Sequence, residues 1–138
     1  MIKVAVTMPA TFGDAGEFLA DVRALEAAGV EMIGVDGGGD EAVLGAIAAV
    51  THRVRLRIPE PSEVLHRLSR GRTLAELPEG ELWVEVAVPP SRESWTATLR
   101  EHEAAAATGV VVPWDPRLID LLRNPEPDDR SDLLMSTG

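Results

Sequence analysis

No cysteine occurs among the 138 residues of this chain, which excludes disulfides, thiolate metal centres and cysteine nucleophiles. Basic residues are outnumbered: 13 Lys and Arg face 23 Asp and Glu, for a net charge of −10. That balance argues against a nucleic-acid backbone or an anionic membrane as partner, because each requires a basic face. No apolar run approaches the length of a membrane span. The opening MIKVAVTMP is too short for a signal peptide and leads directly into a strand pattern, so a cytoplasmic location is expected. The histidines at 52, 66 and 102 form no H-x-H or H-x-x-x-H pair, and no metal site is expected. A G-x-S-x-G elbow for a serine nucleophile is also missing.

What is present is a repeated pattern of apolar run, turn, amphipathic helix and apolar run. Lys3 to Met8 reads as a first strand, Glu31 to Asp36 as a second and Arg53 to Ile58 as a third. Glu81 to Val88 and Val110 to Pro113 read as the fourth and fifth. Asp14-x-x-Glu17 is a capping box for the first helix, whose inward stripe is Ala15, Phe18, Val22 and Leu25, with Gly29 closing it. Asp40 caps a second helix with Val43, Ile47 and Val50 inward. A short third helix runs from Ser62 to about Arg70 with Leu65 and Leu68 inward. Leu74 to Gly80 reads as a loop. A fourth helix from the Ser91–Ser94 region to Thr108 carries Trp95, Leu99 and His102 on one face. Asp115-Pro116 opens a fifth helix through Leu122.

Alternation at this spacing specifies an α/β fold with a mainly parallel sheet. Residues 1–123 make the single domain, and residues 124–138, acidic and broken by proline, read as a surface or partly disordered tail.

Parallel α/β folds bind ligands at the carboxyl ends of their strands, which locates a candidate rim. Thr7 ends the first strand and Arg57 the third. Asp36-Gly37-Gly38-Gly39-Asp40 follows the second. Either Asp36 orients a ligand approached by the backbone of Gly37 and Gly38, or the segment is a tight turn in which Asp40 caps the next helix. The spacing is not a phosphate-binding fingerprint, and the flanking acids favour the turn. At the end of the fifth strand Trp114 either stacks on a flat heterocycle, with Arg117 taking an anionic group, or plugs the sheet while Arg117 pairs with a nearby acid. Trp83 and Trp95 read as core or interface aromatics. No catalytic residue is assigned.

Two stretches carry a family resemblance. LEAAGVEMIGVDGGGDEAVLGAIAAVTHRVRLRI, Leu25 to Ile58, and LHRLSRGR, Leu65 to Arg72, resemble the opening units of the luciferase-like family of flavin- or deazaflavin-dependent oxidoreductases. The terminal stretch from Trp114 to Gly138 is similar to the ends of its members. The family is a (β/α)8 barrel, which takes about 250 residues. The resemblance therefore implies a partial, TIM-barrel-like (βα)5 unit with a five-stranded sheet, the first three barrel units joined to the last two. The implied spatial strand order is 3-2-1-5-4. Where the family often carries a His after the second-strand Asp, this chain has Gly37, Gly38 and Gly39. The implied cofactor is FMN or a deazaflavin, held by the rim residues Thr7, Asp36, Gly37, Gly38, Arg57, Trp114 and Arg117. The alternative is a binding, regulatory or structural half barrel that takes no cofactor. Open sheet edges further imply a homodimer, which completes the barrel or buries the face left by the missing half. A doubly wound domain with helices on both sheet faces is the other arrangement consistent with the pattern.

Overall fold

A computed structural model of the chain describes residues 1–123, so the expectation for the tail at 124–138 lies outside the described residues. Six parallel strands form one open sheet. They are β1 (Lys3–Met8), β2 (Met32–Val35), β3 (Arg55–Arg57), β4 (Thr73–Leu74), β5 (Trp83–Glu85) and β6 (Gly109–Pro113). The helices are α1 (Ala15–Ala27), α2 (Glu41–Val50), α3 (Glu63–Leu68), α4 (Arg92–Ala104) and α5 (Leu118–Arg123). The order is β4-β3-β2-β1-β6-β5. This is the expected five-strand order with one strand added at an edge. The addition, β4, has two residues and falls at the start of the stretch expected to be a loop; its ladder is made with β3 alone.

Each helical crossover between adjacent strands steps the same way along this order. Right-handed connections then place α1, α2, α3 and α4 on one face, as in a barrel wall and unlike a doubly wound sheet. Strand periodicity agrees. Val4, Val6, Met8, Ile33, Val35, Leu56, Val110 and Val112 join the core with Phe18, Val22, Leu25, Leu44, Ile47, Leu65, Trp95 and Leu118. The alternate residues, among them Ala5, Thr7, Met32, Gly34, Arg57 and Val111, turn to the opposite, concave face.

The helix stripes follow the expected spacing with local differences. Ala15 is exposed, because α1 begins at the surface before its stripe meets the sheet. In α2, Leu44 and Ala48 are buried beside Ile47, and Val43 and Val50 flank them half-buried. Leu68 is 49% exposed, since α3 ends there and only Leu65 reaches the core. Asp14, Asp40, Ser62 and Ser91 each accept a hydrogen bond from a backbone N–H in the first turn of their helices.

Two charged side chains satisfy the backbone between α2 and β3. Glu26, on α1 and buried, accepts from the N–H groups of His52 (2.9 Å), Arg53 (2.6 Å) and Val54 (3.0 Å). Arg72 donates to the carbonyls of Ala48 (3.1 Å), Thr51 (2.9 Å), Val54 (2.7 Å) and Ser69 (2.6 Å), and to Thr51 Oγ1 (2.9 Å). The last carbonyls of a helix have no partners within it, and a cation there also meets the negative end of the helix dipole. One carboxylate thus collects the turn's donors and one guanidinium its acceptors. Burial pushes the Glu26 carboxyl up, but the three N–H donors and the charge of Arg53 outweigh it and hold it below the usual carboxylate range.

A pH dependence follows. A lowered folded-state value means the Glu26 contribution is present above the unfolded carboxylate range and is lost as pH falls through the folded value. Glu26→Gln is expected to cost about 1.5–3 kcal/mol at neutral pH, the range of hydrogen bonds to a charged group. The difference from the parent chain should shrink below about pH 4 and vanish below the folded value. Urea denaturation of both chains across that range measures it.

Candidate ligand site on the concave face

The concave face carries a cleft of about 570 Å³ lined by β1, β2, β3, β5, β6 and Leu77. Register sets its rows. Met32, Ala5, Val111 and Glu85 lie side by side along β2, β1, β6 and β5, giving an apolar floor that ends in a carboxylate. One pleat toward the carboxyl ends, Gly34 and Thr7 are partners, and Arg57 lies beside Gly34. A Cβ on Gly34 would stand 3.1 Å from Arg57 Cβ, so the glycine leaves a gap between the guanidinium stem and the Thr7 hydroxyl.

The amino-terminal end is plugged. Trp83 lies over its register partner Gly109, so closely that a Cβ on Gly109 would meet the indole Cζ3 at 2.4 Å and the Lys3 carbonyl at 2.6 Å. The indole N–H donates to Glu81 Oε1 at 2.8 Å. Arg55, from β3, reaches across the concave face, donates to both Glu81 oxygens at 3.3 Å and places its guanidinium 5.8 Å from the Trp83 ring. Strands distant in the sheet order therefore meet through side chains, which requires the sheet to curl. The indole and Arg55 hydrogen bonds hold the Glu81 carboxyl below its usual range. Arg55 Nε is buried without a hydrogen-bond partner.

The expected site residues separate into groups. Thr7 and Arg57 line the cleft. Asp36 is exposed and shares the mouth with Thr7 and Glu85. Gly37 and Gly38 sit in a short turn with φ of 73° and 98°, followed by Gly39 at 80°. A Cβ on Gly39 would approach Val35 Cβ to 2.8 Å, and Asp40 accepts from Val43 N at 2.8 Å, so this segment builds the tight turn and cap. Trp114 is half-buried and packs against the core cluster; it does not line the cleft. Arg117 donates from Nε and Nη2 to the two Asp115 oxygens and from Nη1 to the Pro89 carbonyl. The hydrogen bonds from the Arg117 side chain and backbone hold the Asp115 carboxyl below its usual range.

Sequence reasoning did not anticipate Trp83, Glu85 and Leu77 as cleft residues. The signal for the first two was the alternation E-x-W-x-E at 81–85, which puts all three side chains on one strand face.

Chemically, the cleft offers apolar area for a flat ring, one guanidinium and one free hydroxyl. Arg57 Nη1 donates to the Leu74 and Ala75 carbonyls, while its Nε and Nη2 have no protein partner among the described residues. The mouth, formed by Thr7, Asp36, Glu85, Val86, Ala87, Val111, Val112 and Pro113, contains two carboxylates and no basic residue. Among the described residues no group of His, Asp and Glu stands ready to hold a metal ion, and no helix is long and apolar enough to cross a membrane. No protein-family model, curated protein or solved structure matches the chain.

Proposed function

We propose that this chain is a small, luciferase-like oxidoreductase-type protein that holds the flat ring of FMN or a deazaflavin in the concave cleft. The observation that carries the reading is the row Arg57–Gly34–Thr7: a donor pair, a gap and a hydroxyl above an apolar floor. When bound, the cofactor supplies the hydride or oxygen chemistry, and the protein supplies orientation and electrostatics. Met32, Ala5 and Val111 take the ring's apolar area, Arg57 donates to a ring carbonyl, and Trp83 blocks the far end.

The ring fits these residues better than a phosphate does. Asp36 and Glu85 at the mouth repel an anionic tail, and neither has a cation beside it in that lining. Riboflavin is therefore expected to bind at least as tightly as FMN, and added salt to improve FMN binding by screening the repulsion. Titration with both ligands, followed by flavin and tryptophan fluorescence together, measures this. No saturable binding of either at near-millimolar concentration removes the cofactor reading.

The second reading is a non-catalytic half barrel that works by self-association or by docking on another protein. Exposed apolar side chains favour it: Val64 and Leu68 on α3 at 54% and 49% exposure, and Leu82 beside the β5 edge at 54%. With two open edges, a homodimer is the assembly this reading expects. Sedimentation over a wide concentration range decides it, a constant monomer mass counting against the dimer.

A further inference from the structure

The chain between β4 and β5 is a strap, and Arg57 is its latch. Helices cross the outer face in the β1–β2, β2–β3, β3–β4 and β5–β6 connections, but residues 75–82 return from one sheet edge to the other without a helix. Leu77 from this segment lines the cleft while remaining 36% exposed. The segment's attachments near the cleft are sparse. Arg57 Nη1 donates to the Ala75 carbonyl at 2.5 Å and to the Leu74 carbonyl at 3.3 Å. Beyond it, Glu81 N donates to Pro78 O within a turn whose Gly80 has φ +89°, and Arg55 and Trp83 anchor the Glu81 side chain. The strap is thus fixed at its Glu81 end and tied at its Ala75 end by a side chain that also faces the cleft.

We infer that the strap gates the cleft, and that a ligand oxygen, either a ring carbonyl or a carboxylate, replaces the Ala75 carbonyl on Arg57 and releases it. A guanidinium has donors in a fixed fork, so an acceptor entering from the cleft competes with the backbone carbonyls for the same group. Leu77 withdraws as the tie is lost, which exposes the floor only when an acceptor is present. This deepens the proposed function, since it names the group on the ligand that opens the site.

The absence of cysteine makes the test direct. Leu77→Cys carries a bimane label, whose fluorescence is quenched by a nearby tryptophan, and Trp83 lines the same cleft. The expected result is quenching that is lost in Trp83→Phe and relieved several-fold by Arg57→Gln with no ligand present. Adding 2-naphthoate to the Arg57 chain should relieve it too, whereas 2-naphthylmethylamine, a cation of similar shape, should not. Unchanged quenching in Arg57→Gln overturns the latch. Relief by the substitution but not by naphthoate overturns the exchange and leaves Arg57 a structural tie. If Arg57→Gln does not fold, Arg57→Lys replaces it, with partial relief expected and none contradicting the latch. Flavin enters neither arm, so a failed flavin titration with a responsive strap removes the cofactor reading alone.

Discussion

Arg72→Leu is expected to lower the melting temperature by roughly 10–20 °C, the largest stability effect of any single change in the chain. The guanidinium makes five hydrogen bonds, four to carbonyls of α2, its exit turn and the end of α3, and one to the Thr51 hydroxyl. Leucine occupies the space but leaves those acceptors unpaired where water enters poorly. Unsatisfied groups of this kind cost about 1–3 kcal/mol each, and because they share one donor the losses do not add. A total of about 3–5 kcal/mol is a large part of the 5–15 kcal/mol that holds a typical domain. Arg72→Lys should recover less than half, since an ammonium offers three donors and no fork. Calorimetry of the three chains checks this; a shift of only a few degrees in Arg72→Leu would mean that water replaces the guanidinium.

Gly109→Ala should be the second most damaging change, and it acts on the cleft as well as on stability. The added methyl would lie 2.4 Å and 2.8 Å from two atoms of the Trp83 ring and 2.6 Å from the Lys3 carbonyl. The backbone carbonyl cannot swing away, so β1 and β6 must part or the indole must leave. Overpacking of this kind costs about 1–3 kcal/mol. Displacing Trp83 also breaks its hydrogen bond to Glu81 and removes the ring over which Arg55 lies. The expected signature is a red-shifted tryptophan emission together with the loss of stability. Trp83→Ala in the same chain should restore only part of it, because the Lys3 carbonyl remains in the way. Unaltered emission with full stability would contradict the close packing of Trp83 on Gly109.

The apolar periods and caps carried the parallel sheet, its order and the helix starts, because each is set by local chemistry that recurs at fixed spacing. Asp14, Asp40 and Ser91 illustrate this, each being the first residue able to cap before an amphipathic run. β4 was not legible: two residues have no period, and Thr73–Leu74 become a strand only because β3 offers an edge. The site was half legible. Thr7 and Arg57 end strands and were found by that rule, while Trp114 and Arg117 obey the same rule and face elsewhere. What strand ends do not reveal is which pleat faces the concave side. That information lay in R-V-R-L-R at 53–57 and E-L-W-V-E at 81–85, where alternate residues of one strand are basic and those of the other acidic. Read as faces, the two segments anticipate the Arg55–Glu81 pair that closes the bottom of the cleft. The resemblance in LHRLSRGR also acquires a physical meaning: its terminal arginine, Arg72, is a structural clamp that touches no part of the cleft.

The central claim is that the concave face, and neither the helical face nor the turn glycines, receives a flat heterocycle. Amide chemical-shift mapping during titration with riboflavin tests it most directly. The expected result is saturable shifts at Ala5, Thr7, Gly34 and Val111, with a change at the Trp83 indole N–H and little movement along α1 and α2. Shifts confined to the Gly37–Gly39 turn or to the outer helices, or none up to the solubility of the ligand, would contradict it.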